Sequence, residues 1–193
     1  MIGRARRRPE EDDVGQEHSP GRPGLSVVPT GPGEASVLRN DAEPLAGTVL
    51  LLSGPNLSLL GERQPEVYGY QSLDDHVATA TRAAAEHGLS LEHVQSEYEG
   101  ALVEAVHGAR RRVAAIVVNA GALTHYSWAL HDALAAFEGP VVELHLSHPG
   151  RREPWRHLSV VTPVATGVIA GFGGEGYRLA IEAVASLLRA RHA

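Results

Sequence analysis

Thr48-Val49-Leu50-Leu51-Leu52, followed at once by Ser53-Gly54-Pro55-Asn56-Leu57, joins an unbroken apolar run to a polar, turn-forming segment. Five apolar-compatible positions without polar alternation read as a strand buried on both faces, the pattern of a parallel sheet covered by helices. The segment that follows carries Asn56 and then Arg63 and Tyr68-Gly69. In open α/β sheets ligands bind outside the carboxyl ends of the strands. An amide, a guanidinium and a phenol therefore share the loop where chemistry is expected. A phenol with a pKa of about 10 is ionised to only about 0.1% at pH 7, and lowering that value to about 8 raises the ionised fraction to the order of 10%. An arginine five residues before Tyr68 is the kind of neighbour that does this, so the loop holds both parts of a proton-abstraction device.

The same alternation of apolar run and helical period continues outward from this strand. Ser72 caps a helix with Asp75 in the capping-box position, and Gly88 ends it. A second strand spans roughly Leu91 to Ser96. A helix from about Gly100 to Arg110 puts Leu102, Val106 and Ala109 on one face. Ala114 to Asn119 is a third strand, and Ser127 to Phe137 a helix. Val141 to Leu146 and Thr166 to Ala170 are the fourth and fifth strands, and a helix from about Glu175 to Arg191 closes the chain. Five strands alternating with helices predict an α/β fold, a flavodoxin-like doubly wound five-stranded parallel sheet with right-handed crossovers. Spacing alone leaves the strand order open. The expected organisation is a single domain over residues 46–193 preceded by a disordered N-terminal extension, residues 1–45. That extension is rich in Pro, Gly, Arg and Glu, with adjacent basic (Arg6 to Arg8) and acidic (Glu10 to Asp13) runs and no apolar periodicity.

Composition narrows the chemistry. The 193 residues carry a formal charge of −6, which argues against nucleic-acid binding. No apolar stretch approaches the roughly 20 residues that span a bilayer. The N-terminal arginines lack a following apolar core, so no membrane association and no secretory signal are expected, and the expected location is cytoplasmic. There is no cysteine, and all 17 basic residues counted as Lys or Arg are arginine. Thiol catalysis, Schiff bases and the P-loop lysine are therefore excluded. Carbonyl chemistry here must run through acids, bases and hydrogen bonds.

The notable polar residues fall after strands. Asn56, Arg63 and Tyr68 follow the first; Asn119 ends the third, with Gly121, Thr124 and His125 close behind; Glu143 and His145 lie in the fourth, followed by Ser147, Arg152 and Arg156. Strand alternation puts Glu143 and His145 on one face, where the carboxylate fixes the imidazole's tautomer and favours a general acid. The competing reading is a polar strand face under a solvated helix. Tyr68 and Arg63 have bland readings as a loop aromatic and a surface charge. Arg152 and Arg156, around Glu153-Pro154-Trp155, read either as exposed charges or as carboxylate clamps. His76, His87 and His107 are expected on solvated helix faces. Gly171-Phe172-Gly173-Gly174-Glu175-Gly176 fits G-x-G-x-x-G, but no later strand remains to supply a ribose-binding acid. Tight packing of the last helix is the preferred explanation.

Taken together, the motifs resemble those of the type II 3-dehydroquinate dehydratases, across about Thr48 to Leu188. The matching stretches are Gly54-Pro55-Asn56-Leu57, Leu60-Gly61-x-Arg63-x-Pro65-x-x-Tyr68-Gly69 and Gln95-Ser96-x-x-Glu99-Gly100. Further on come Asn119-x-Gly121-Ala122-x-Thr124-His125, Glu143-x-His145-x-Ser147 and Arg152-Glu153-Pro154-x-Arg156. The resemblance implies dehydration of 3-dehydroquinate to 3-dehydroshikimate by anti elimination through an enolate, in the shikimate pathway of aromatic amino acid biosynthesis. It implies no metal or cofactor, and a homo-oligomer, a dodecamer assembled from trimers. Carried onto these positions, Tyr68 is the base, Arg63 holds the tyrosinate, Asn56 positions a water or the enolate oxygen, and His145, oriented by Glu143, protonates the leaving hydroxyl. Asn119, Gly121, His125, Arg156 and the backbone at Leu146 and Ser147 bind substrate. Arg152 closes with a loop, and Asp132 reaches across a subunit boundary.

The chain also departs from the resemblance, at Ser53, Gln64, Glu97, His131, His148-Pro149-Gly150 and Leu158. These departures sustain an alternative, a non-catalytic paralogue that binds a related cyclic hydroxy acid or serves as an assembly subunit. A flavin-binding flavodoxin-like module is a third reading, with little in the sequence behind it.

Overall fold

A computed structural model of the chain describes residues 47–62 and 69–192. The expected N-terminal extension, and Arg63, Gln64 and Tyr68 of the first loop, lie outside the described residues. The strands are β1 (Thr48–Ser53), β2 (Ser90–Gln95), β3 (Ala115–Asn119), β4 (Val141–His145) and β5 (Gly167–Ala170). The longer helices are α1 (Leu73–Glu86), α2 (Glu99–Ala109), α3 (Trp128–Ala135) and α4 (Glu175–His192). All strand pairs are parallel and the order is β2-β1-β3-β4-β5. That is the flavodoxin-like order, in which the chain reverses direction across the sheet between β1 and β3.

Period-two alternation on β1 builds two cores. Val49 and Leu51 pack with Ala80, Ala83 and Ala84 of α1 and Ala180, Ile181 and Val184 of α4. Leu50 and Leu52 face the opposite way, onto Leu102, Val106 and Ala109 of α2 and Leu130, Ala133 and Leu134 of α3. The continuous apolar run at 48–52 thus has a cause: each successive side chain meets a different helical layer. The α1 N-terminus is the predicted capping box, with the Asp75 N–H donating to Ser72 Oγ at 3.2 Å and the Ser72 N–H donating to Asp75 Oδ2 at 2.9 Å. Gly88 follows the helix at φ 75°, the left-handed position that favours glycine.

Three details differ from the sequence reading. The α3 helix is shorter than expected because Ser127 is its cap, accepting from the Leu130 N–H, and Gly121–His125 forms a separate 3-10 turn. His76 is not solvated: it is 1% exposed and stacks on Tyr177 with ring centroids 4.9 Å apart. Burial lowers its pKa, against a smaller pull from Asp75. His87 is drawn in by Glu182 at 2.8 Å and Arg189 at 3.0 Å. His76 lies on α1 and His87 caps its C-terminus, where α4 packs against it, a contact between elements about 100 residues apart. The glycine-rich turn before α4 has the close approach the sequence suggested. A Cβ on Gly176 would lie 2.9 Å from Leu144 Cδ1 of β4, and one on Gly174 2.4 Å from His76 Cε1 of α1.

The loops after β1 and β3 approach more closely still. The Gly54 N–H donates to the Asn119 carbonyl at 2.8 Å, and a Cβ on Gly54 would stand 2.4 Å from the Ala120 carbonyl oxygen. Backbone cannot swing aside as a side chain can. Gly54→Ala is expected to cost about 3 kcal/mol, measured as a lowered midpoint in urea unfolding with an unchanged m-value.

Candidate active site

The strand reversal between β1 and β3 opens a cleft of about 110 Å³ at the carboxyl edge of the sheet. The loop after β1 contributes Asn56, and the β3 end contributes Asn119, Gly121 and His125. The β4 end contributes His145, Leu146 and Ser147, and the connection to β5 adds Arg152 and Arg156. Nine side chains or backbone positions singled out in the sequence are thereby brought to one cavity. Glu143 stands behind His145. Asp132 does not line this cleft; it is exposed on α3. Arg63 and Tyr68 lie outside the described residues.

The most consequential group is Glu143, 1% exposed inside the sheet. Its Oε1 accepts from His145 Nε2 at 2.8 Å and from Ser159 Oγ at 2.7 Å, and its Oε2 accepts from Thr162 Oγ1 at 2.5 Å. Burial pushes its pKa up, but the hydrogen bonds from His145, Thr162 and Ser159 together outweigh this and hold it below the ordinary carboxylate value. An ionised carboxylate only accepts, so the His145 proton on this side sits on Nε2. Nδ1 is then the ring nitrogen not committed to Glu143. Ser159 and Thr162 were not singled out in the sequence: they lie 16 and 19 residues from Glu143, with no local motif to betray them. Ser159 Oγ also accepts from the N–H groups of Val161 and Thr162, which shapes the turn around the carboxylate.

The β4–β5 connection is also fastened to the β3 loop. His125 Nδ1–H donates to the Leu158 carbonyl at 2.7 Å, and the Val160 N–H donates to the Thr124 carbonyl at 2.8 Å. Trp155 packs edge-on to His125 at 5.3 Å, and the Arg156 guanidinium lies 4.0 Å from the Trp155 ring centroid. Arg156 also pairs with Glu153 at 2.8 Å, and Arg152 with Glu153 at 3.6 Å and with Ser147 Oγ at 3.4 Å. The two arginines thus reach the cleft from a short turn braced by one tryptophan and one glutamate. Asn119 is 3% exposed; its Oδ1 accepts from the Gly121 N–H at 3.4 Å, and its amide influences the buried Tyr177 phenol, whose pKa burial pushes up to about 12.

Departures at Ser53, His131, His148-Pro149 and Leu158 find local explanations. Ser53 is buried and bonds His93 Nε2 at 3.1 Å. His131 Nδ1–H donates to the Val160 carbonyl at 2.6 Å. His148 packs against Gly171, and Pro149 begins a 3-10 turn, Pro149–Arg151. Leu158 is exposed and serves through its carbonyl. Among the described departures, Pro149 alone lines the cleft.

The family model described as dehydroquinase class II matches residues 47–185, nearly all of the described chain. The chain belongs to the class II dehydroquinase family. The 3-dehydroquinate dehydratase of Corynebacterium glutamicum (strain R) is 50% identical over 143 residues, 74% of this chain and 99% of that relative. The 3-dehydroquinate dehydratase 2 of Pseudomonas putida is 49% identical over 145 residues, 75% of this chain and 97% of its own length. Among solved structures, the type II dehydroquinase from Propionibacterium acnes superposes with a TM-score of 0.70 at 38% identity, over 75% of this chain and 99% of that one.

Glu143 makes the site acid-sensitive, with a definite sign. Its folded-state pKa lies below the unfolded value, so its pairing stabilises the protein above the ordinary carboxylate range and is lost as pH falls through the folded value. Glu143→Gln is expected to be less stable than wild type by about 1–3 kcal/mol at pH 7. The deficit should shrink as both are melted at progressively lower pH; a deficit that stays constant down to pH 3 contradicts the assignment.

Proposed function

We infer that this chain dehydrates 3-dehydroquinate to 3-dehydroshikimate, the hydro-lyase step of the shikimate pathway. The observation that carries the reading is the hydrogen-bonded Glu143–His145 pair at the wall of a cleft shared with Asn56, Asn119 and His125, in a chain half identical to 3-dehydroquinate dehydratases along nearly their whole length. A small polyhydroxylated ring with a carboxylate suits a cavity lined by two amides, two imidazoles, a hydroxyl and two guanidiniums.

The proposed chemistry divides into two proton transfers. Tyr68, as its anion held by Arg63, removes a proton from the carbon beside the ketone. The electron pair of that C–H bond moves onto the carbonyl oxygen as an enolate, and Asn56 stabilises it directly or through a water. The enolate then collapses to the enone, the C–O bond to the leaving hydroxyl breaks, and His145 supplies the proton that releases it as water. Glu143 keeps the imidazole oriented for that transfer. Arg156, His125, Asn119 and Gly121 hold the carboxylate and hydroxyls, with the backbone at Leu146 and Ser147, and Arg152 closes over them.

The reading extends to organisation. Residues 46–193 are taken as the catalytic domain, acting in the cytoplasm; among the described residues no helix is long and apolar enough to cross a membrane. The working form is proposed as a dodecamer of trimers, in which Asp132 serves a neighbouring subunit's cleft. Two features support this. Asp132 is exposed away from its own cleft, and Tyr126 and Trp128, each 62% exposed, present a large apolar surface nearby.

Mixing the purified protein with 3-dehydroquinate and following enone absorbance tests the reaction; no signal at high enzyme concentration overturns it. Tyr68→Phe and His145→Ala are each expected to lower kcat by about 10²–10⁴-fold while substrate still binds by calorimetry. Near-normal turnover in either variant removes that residue from its role.

A further inference from the structure

Asn56 occupies a left-handed backbone conformation, φ 65° and ψ 1°, at the entry to the short 3-10 turn Leu57–Leu59. Asparagine tolerates this region better than most residues but is not driven into it. The turn's internal bonds are long, 3.5 Å from the Leu57 N–H to the Gly54 carbonyl and 3.2 Å from the Leu59 N–H to the Asn56 carbonyl. No side-chain cap holds its first turn. A three-residue turn of this kind does not set the direction of a catalytic amide by itself.

What holds it comes from the neighbouring strand. Glu97 lies in the connection between β2 and α2. Its Oε2 accepts from the Asn56 N–H at 2.7 Å, and its Oε1 accepts from Ser58 Oγ at 2.7 Å and Gln95 Nε2 at 2.9 Å. These are the short distances of charge-assisted bonds. The Ser58 hydroxyl, then the Asn56 N–H and Gln95 amide, hold the Glu97 carboxyl below its ordinary value, so it is ionised at neutral pH. Among the described residues, the side-chain bonds that tie the Asn56–Ser58 turn to the β2 side all end on this one carboxylate. On the β3 side the turn is fixed by backbone, through Gly54 and Asn119.

We propose that Glu97 is a positioning residue for the dehydration, acting through Asn56: its carboxylate pins the Asn56 backbone and so aims the Asn56 side chain into the cleft. Glu97 does not line the cleft. The proposal rests on the catalytic role given to Asn56. It explains why a charged residue at one of the chain's departures is compatible with the site: the acid is turned toward the loop that carries the amide, away from the substrate.

The test is a double-mutant cycle read by steady-state kinetics on the full chain, with hydrogen exchange as a second readout. Glu97→Ala is expected to lower kcat about 10- to 100-fold, the worth of charge-assisted bonds, with KM changed less than threefold. Glu97→Gln, whose amide oxygen still accepts one bond, should recover most of the loss. Because Glu97 acts through Asn56, the Asn56→Ala/Glu97→Ala double variant should be no slower than Asn56→Ala alone. Losses that multiply, or a Glu97→Ala enzyme with wild-type kcat, overturn the proposal. Amide exchange in the peptide spanning residues 54–60 should accelerate in Glu97→Ala relative to wild type. If wild type fails to turn over 3-dehydroquinate, the proposed function falls, and exchange alone judges the clamp: unaltered exchange in that peptide overturns it, and faster exchange supports it.

Discussion

A charge inside a sheet has to be satisfied by the rest of the protein, and Glu143 imposes that demand here. An ionised carboxylate left without donors in such a place costs several kcal/mol. Three donors meet it, and two of them, Ser159 and Thr162, come from the long connection between β4 and β5. That connection must therefore fold back over the carboxyl edge of the sheet. Folding back brings the Leu158 carbonyl to His125 and the Val160 N–H to Thr124, and it sets the Pro154–Arg156 turn beside the cleft. The third donor is His145 itself. The same bonds that make the buried charge tolerable also build one wall of the cavity and fix the imidazole's tautomer.

The opposite wall depends on close backbone approach. Where the sheet order reverses, the loops after β1 and β3 lie against each other with no room for a side chain between Gly54 and Ala120. This brings Asn56 and Asn119 to one cavity from strands that are neighbours in space and 63 residues apart in sequence. The β2 side then supplies Glu97, whose carboxylate gathers the N–H and hydroxyl of the intervening turn. The acids differ in the task their surroundings set. Glu143 is buried and orients a ring nitrogen; Glu97 is exposed and gathers one backbone N–H and two side-chain donors. Both are held in the ionised form by donors.

Much of the scaffold was legible without coordinates because its signals are local. The Ser72–Asp75 capping box, the apolar run of β1 and the one-faced spacing of Leu102, Val106 and Ala109 each reflect chemistry within a few residues, and each is present in the structure. The Glu143–His145 pair was legible for the same reason, since alternate strand positions share a face. Burial of His76 against Tyr177 was not, because it depends on α4 crossing α1. Nor were Ser159 and Thr162 as partners of Glu143, or the bonds Glu97 makes to a loop some 40 residues earlier in the chain. Polar residues in irregular loops carry no periodicity from which a partner can be read.

By itself, then, the sequence determined an α/β architecture of five parallel strands, ruled out lysine and thiol chemistry, and named the amide, imidazole and guanidinium groups that gather at one edge. Local propensity and strand alternation suffice for that, since both act over a few residues. Only the tertiary structure decided the strand order, the partners of Glu143, the exposure of Asp132 away from its own cleft and the anchoring of Asn56 by Glu97. Those outcomes depend on which loops meet at the reversal of the sheet, and a meeting of loops is settled by packing and by the satisfaction of buried polar groups across the whole fold.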